Sequence, residues 1–276
     1  MGSLSDYYEK KFLDHVFNVA FTAPSTLYIL LSTADPLDDA SGIAEPSGFN
    51  YARETIAFNA AASRKIENTS LITFNQASGG SWGDITHWGI CDHLSNSTWG
   101  TNVSLLAHGS FAALKTVSDG KQPTIAAQEV DIEISAGAVT DYLVHEMLDH
   151  LFNVGSFAKP DTYMALLDTN GADTDTDPTA KEPSGNNYSR VQVNPNGGSS
   201  PTWDLATGTT PALVQNTHLV QMPTPSGSWG TITDWAIVSA ATVGNLLFYA
   251  DLGGDETIGN GDDVEFPIGN IDVTLS

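Results

Sequence analysis

The chain reads as one module written twice, and this limits the fold more than any other feature, because the same structure must be built twice within 276 residues. Ser5-Asp6-Tyr7 with Asp14-His15-Val16-Phe17-Asn18 returns as Thr140-Asp141-Tyr142 with Asp149-His150-Leu151-Phe152-Asn153. Glu45-Pro46-Ser47-Gly48 and Tyr51-Ala52-Arg53 return, at the same spacing, as Glu182-Pro183-Ser184-Gly185 and Tyr188-Ser189-Arg190. Ser81-Trp82-Gly83 and His87-Trp88-Gly89-Ile90 return as Ser228-Trp229-Gly230 and Asp234-Trp235-Ala236-Ile237. The expected division is a first module over 1–135 and a second over 139–276, joined by Ala136-Gly137-Ala138. Modules of this size bury a core without staples.

Each copy opens with a helix signal. Ser5 or Asp6 is a suitable N-cap, Glu9 sits where a capping-box acid would, and Tyr8, Phe12, Leu13, Val16 and Phe17 recur at helical spacing. Thr140 or Asp141, with Leu143, Met147, Leu148, Leu151 and Phe152, repeats the pattern. The rest reads as short strands separated by Gly, Pro, Asn and Asp, in the first copy over 26–31, 51–58, 70–74, 85–90, 103–109, 111–117 and 130–134. Without helices between them, such strands form an antiparallel sandwich or barrel. The expected fold is therefore mainly β: two tandem antiparallel sandwich- or barrel-like domains, each preceded by a helix that caps it or packs on a neighbour. Alternation places Tyr51 and Arg53 on one face of a strand, where a half-buried Arg would orient a loop carboxylate or carbonyls.

A net charge of −23, from 33 acidic and 10 basic residues, argues against nucleic acid as a partner, since phosphate recognition draws on Lys and Arg. Cys91 is the single cysteine, so no internal disulfide is expected. No basic segment followed by an apolar stretch opens the chain and no window has the length of a membrane helix, so a protein made in a cytoplasm, without membrane insertion, is expected.

No signature of a catalytic site occurs: HExxH, GxSxG, a phosphate-binding loop, CxxC and a dinucleotide fingerprint are all missing. Cys91 lies near His87 and His93, but the second copy has Val238 and Asp234 at the first two positions, so the module does not need a Cys–His pair. Asp14-His15 and Asp149-His150 are helix neighbours about 100° apart, which suits interface polarity better than a dyad. Asp173, Asp175 and Asp177 alternate in a loop and are the weak candidates for a metal, calcium, with no other cofactor expected. Of the six tryptophans, Trp82, Trp88, Trp229 and Trp235 recur in pairs and read, with Tyr51, Arg53, Tyr188 and Arg190, as structural or interface residues. Trp99 and Trp203, in loop-like surroundings, are the candidates for facing a ligand such as a sugar.

On these strings, above all the opening Leu4-Ser5-Asp6-Tyr7-Tyr8 through Leu13-Asp14-His15-Val16-Phe17, the Tyr51-Ala52-Arg53 segment and Ser81-Trp82-Gly83 leading to Trp88, each copy resembles a module of tailed-bacteriophage structural proteins often labelled tail fibre proteins. The resemblance implies a non-enzymatic virion component, a tail fibre or adaptor or a capsid decoration protein, contacting other virion proteins. The repeat fits a homo-oligomer: a trimer would present six similar modules. The rival reading is a receptor- or carbohydrate-binding module of the tail.

Overall fold

The structure, a computed structural model, describes residues 2–95, 98–194, 202–209 and 211–276. The first repeat comprises β1 (Gly2–Leu4), α1 (Asp6–Phe17), β2 (Leu27–Ser32), β3 (Glu54–Ile56), β4 (Lys65–Glu67), β5 (Ile72–Thr73), β6 (Gly83–Cys91), β7 (Leu105–Val117), β8 (Thr124–Ile125) and β9 (Asp131–Glu133). The second comprises α2 (Asp141–Leu151), β10 (Thr162–Leu167), a short 3₁₀ turn (Pro178–Lys181), β11 (Val191–Asn194), β12 (Ala212–Gln215), β13 (Val220–Gln221), β14 (Gly230–Val238), β15 (Leu246–Ile258), β16 (Glu265–Phe266) and β17 (Asp272–Leu275). The protein is mainly β, with one α-helix at the head of each repeat.

The centre of each repeat is the same antiparallel set. β3, β2, β6 and β7 lie side by side in the first, and β11, β10, β14 and β15 in the second. β4–β9 and β12–β17 are matching antiparallel pairs, as are β5–β8 and β13–β16. β1 pairs antiparallel with β7 and touches β9 in parallel through Gly2 and Ile132, so it joins the first repeat into one seven-stranded sheet. The corresponding segment before α2 makes a single bridge, Val139 to Phe248. Among the named strands every pairing is antiparallel except that of β1 with β9, made by a strand too short to show a period.

Other boundaries also differ from expectation. The two strands expected over 103–117 form one, β7, whose register against β6 shifts between Ile85 and His87, so that 111–114 are the bulged residues, with Phe111 buried in the core and 112–114 exposed. The strand expected over 51–58 shrinks to Glu54–Ile56, which leaves Tyr51 and Arg53 in the irregular approach to it. Ser5 caps α1 by accepting from the Tyr8 N–H, as Thr140 does for Leu143 in α2. Glu9 is not a capping acid: its carboxyl is buried and takes the backbone N–H of Ala212 on β12.

β2 and β10 are apolar at nearly every position because both their faces are covered. Ile29 and Leu31 enter the main core, while Leu30 packs with Cys91 and Val103 beneath the loop that follows β6. Met164 and Leu166 repeat the first role, and Ala165 and Leu167 the second. The main core is continuous through both repeats and contains the apolar faces of both helices.

Candidate functional site

Two polar constructions occur in duplicate. In the first repeat, Arg53 forms a bidentate pair with Glu45, Nε to Oε1 at 2.9 Å and Nη2 to Oε2 at 2.8 Å, and donates through Nη1 to the carbonyls of His93 and Ser95. The Tyr51 hydroxyl donates to Glu45 at 2.8 Å and accepts from the Leu31 N–H at 3.0 Å. The side chains of Arg53 and Glu45 are 1% and 4% exposed, so each charge is matched where water does not reach it. In the second repeat, Arg190 pairs with Glu182 and donates to the carbonyls of Ala240 and Val243, and Tyr188 bridges Glu182 and Leu166. Burial beside a carboxylate pushes the phenols of Tyr51 and Tyr188 well above their ordinary range, so both remain hydroxyl donors.

These clusters tie three segments together: the Glu-Pro-Ser-Gly loop, the approach to β3 or β11, and the loop after β6 or β14. Beside each opens a cleft, of about 300 Å³ along Pro46, Gly48 and Leu94 and about 280 Å³ along Pro183, Ser184 and Val243. The Trp82 ring stands edge-on to Tyr51, centroids 5.1 Å apart, with Nε1 donating to the Phe49 carbonyl. Trp229 repeats both contacts with Tyr188 and Asn186.

The second construction joins the repeats. His15 Nε2 meets the Phe157 carbonyl at 2.9 Å, and the Phe157 N–H donates to His150 Nδ1 at 3.3 Å. His150 Nε2 in turn meets the Phe21 carbonyl at 2.9 Å, and the Phe21 N–H donates to His15 Nδ1 at 3.0 Å, which closes a ring. Beside it each helix holds a loop of the other repeat: Asp14 accepts from the Ala206 N–H at 2.8 Å and Asp149 from the Ala61 N–H at 2.6 Å. Phe17 packs on Trp203 and Phe248, and Phe152 on Phe58 and Tyr8. Burial and the neighbouring His150 ring lower the His15 pKa to about 4. Both bonds require its neutral form, because Nδ1 must accept.

The remaining candidates fall in different places. Trp88 is fully buried, its ring lying against Gly2 and Gly109, which face each other across β1 and β7; a Cβ on either would come within 2.5 Å of the indole. Trp235 is a core residue of β14. Trp203 corrects the expectation of a ligand-facing ring: at 4% exposure it is an anchor of the joint, held there by Phe17 of the other repeat. Trp99 is half-buried, with the Arg53 guanidinium 4.9 Å from its ring centroid. Asp173, Asp175 and Asp177 do not converge. Asp173 accepts from the Tyr249 hydroxyl, Asp175 pairs with Lys181, and Asp177 caps the 3₁₀ turn through Thr179. Among the described residues, no three His, Cys, Asp or Glu side chains are grouped to hold a metal, and no helix is long and apolar enough to cross a membrane. Burial raises the Cys91 thiol to about 11, and its sulfur lies against Arg53 and the His93 carbonyl.

Sequence reasoning missed Glu45 and Glu182 as partners of the arginines. The available signal was their fixed distance from Tyr-x-Arg in both copies. Arg64 was also missed, and has no such signal, since only the first repeat carries it.

The fold and these braces define a class: a duplicated, mainly β structural module whose shared polar residues hold its own loops and helices. A family model described as Podophage GP4 fiber I protein gp80 matches residues 3–133 and again 138–274. The chain belongs to this family and carries the module twice. No curated protein is similar to it.

Proposed function

We propose that this phage fibre protein is a non-enzymatic part of the particle surface, placed as a tail fibre or adaptor or as a capsid decoration component. The observation that supports this most directly is the employment of the residues that both repeats share. Glu45, Tyr51 and Arg53 brace loops, Asp14 and His15 clasp the other repeat, and their counterparts do the same. Such bracing makes a stiff body that presents loops outward, as a component loaded by its neighbours requires. In this proposal 1–135 and 139–276 are the repeating units, other virion proteins are the partners, and three chains give six near-equivalent modules. Gold-labelled antibody against the chain, viewed on purified particles by negative-stain electron microscopy, tests it. Label on the tail gives a fibre or adaptor, label on the head gives a decoration protein, and unlabelled particles overturn the proposal.

A further inference from the structure

β10 leads into its loop through Asn170 and Gly171, and one buried carboxylate holds both. Asp234 on β14, 2% exposed, accepts the Gly171 N–H through Oδ2 at 2.9 Å and the Asn170 side-chain amide, Nδ2, through Oδ1 at 3.1 Å. Across the same peptide bond, the Lys181 ammonium donates to the Asn170 carbonyl at 2.8 Å. Asn170 is exposed, so water reaches it. Packing sets the glycine: a Cβ on Gly171 would stand 2.6 Å from the Tyr249 ring.

An Asn–Gly pair has a slow reaction of its own, because the glycine nitrogen can attack the side-chain amide carbon and no side chain obstructs it. Two steps resist: the peptide N–H must lose its proton, and the amide nitrogen must leave. Here a carboxylate sits on the N–H to be lost, and a cation sits on the carbonyl oxygen that takes up charge as it is lost. The leaving nitrogen lies on the other oxygen of that carboxylate, so the proton taken from Gly171 is at hand for it. The first repeat is built differently. Its loop begins Asp35-Pro36, where proline has no N–H, and Asp35 lies 4.0 Å from His87, which takes the place of Asp234 in the strand register.

We propose that Asn170 is a self-modification site, at which the fold promotes deamidation of its own side chain. Asp234 takes the Gly171 proton, the Gly171 nitrogen bonds to Asn170 Cγ, and the Cγ–Nδ2 bond breaks as the proton passes to Nδ2, which leaves as ammonia. Water then opens the cyclic imide to aspartate or, with the chain rerouted through Cγ, to isoaspartate. Either product sets a carboxylate against buried Asp234, and isoaspartate lengthens the backbone where Gly171 has no room beside Tyr249. The loop is thereby released from β14. It carries Asp173, which with Asp141 faces the guanidinium of Arg64 from the turn between Ala62 and Lys65. The corresponding turn of the second repeat, between Thr207 and Leu213, is longer and carries no arginine, so the release loosens a contact that the chain makes only at this end. The proposal does not depend on where in a particle the chain sits.

Peptide mapping by mass spectrometry, on the full chain aged at neutral pH in buffer and in guanidinium chloride, tests it. Asn260 is the internal reference, since its Gly261 N–H goes to the Pro225 carbonyl and not to a carboxylate. In denaturant the two pairs should convert at similar rates. In buffer Asn170 should convert several-fold faster than in denaturant, and Asn260 more slowly. Asp234→Asn, which keeps an acceptor and removes the base, and Lys181→Gln should each bring Asn170 to or below its rate in denaturant, with Asn260 still slow because the fold is intact. Hydrogen exchange at Gly171 should quicken in the aged chain. A native Asn170 slower than the unfolded one, a rate unmoved by Asp234→Asn, or unchanged exchange at Gly171 after conversion would each overturn the proposal.

Discussion

His15 and His150 face each other across the joint with ring centroids 4.4 Å apart, and each ring is bonded on both nitrogens to backbone beyond the ends of the two helices. The rings therefore act as struts between repeats that share one apolar core.

A shared core predicts shared unfolding. Calorimetry should show a single cooperative transition for the whole chain, with equal calorimetric and van't Hoff enthalpies. Residues 135–138 are exposed, so a protease site placed there should be cut in the native state, and the two pieces should still elute together at the full mass. Separation after cutting would show that the joint does not hold without the link.

The joint also sets a dependence on pH. With a folded pKa of about 4 against 6.5 when exposed, His15 stabilises nothing by protonation. The His15 contribution to native stability is fully present above pH 6.5 and falls by up to about 3 kcal/mol as pH falls to 4, because the unfolded chain takes up the proton first. Glu9 works in the opposite sense. Burial, with Asp38 and Asp6 nearby, raises it to about 7 from an ordinary 4.5, so its contribution is present below 4.5 and is lost as pH rises through 7. The two slopes offset each other between about pH 4.5 and 6.5. Glu9→Gln should raise stability at pH 8, change it little at pH 4.5, and leave a steeper acid loss than the parent shows in urea titrations across this range.

Much of this was legible in the sequence and some was not. Ser5 and Thr140, followed by apolar residues at helical spacing, announce the helices because a cap and a stripe are local signals. The repeated Trp82 and Trp229 announce a packing role because both copies need it. Trp203 misleads because its neighbours in sequence are polar, whereas the residue that covers it, Phe17, lies far away in the chain. β1 is invisible for a related reason. A three-residue strand has no period, and what fixes it is the Gly2–Gly109 contact beneath Trp88.

The buried ion pairs give a prediction with an internal control. Arg53→Met leaves Glu45 charged and without its guanidinium, which should cost about 3–5 kcal/mol by denaturant titration. Arg190→Met should cost a similar amount through Glu182. Glu45→Met with Arg53→Met should cost less than the sum of the single changes, and full additivity would show that the pair is not coupled.

Gly109→Ala tests the tryptophan slot. Its Cβ would stand 2.5 Å from the Trp88 ring and 2.8 Å from the Gly2 Cα, so a loss of about 1–3 kcal/mol is expected. Trp88→Phe removes the crowding atoms, and the double change should recover part of that loss. Thermal melts of the three variants measure it.

The longer turn between Thr207 and Leu213 gives the molecule direction. Two separate identical modules clasped in this way would show a partner the same face twice, and the partner could attach in either sense. Fused into one chain, the halves have diverged, so one end of the joint holds Arg64 beside Asp141 and Asp173 and the corresponding turn at the other end carries no arginine. Any neighbour that reads that turn meets the chain in one orientation, and a row of such chains would run head to tail, all pointing the same way.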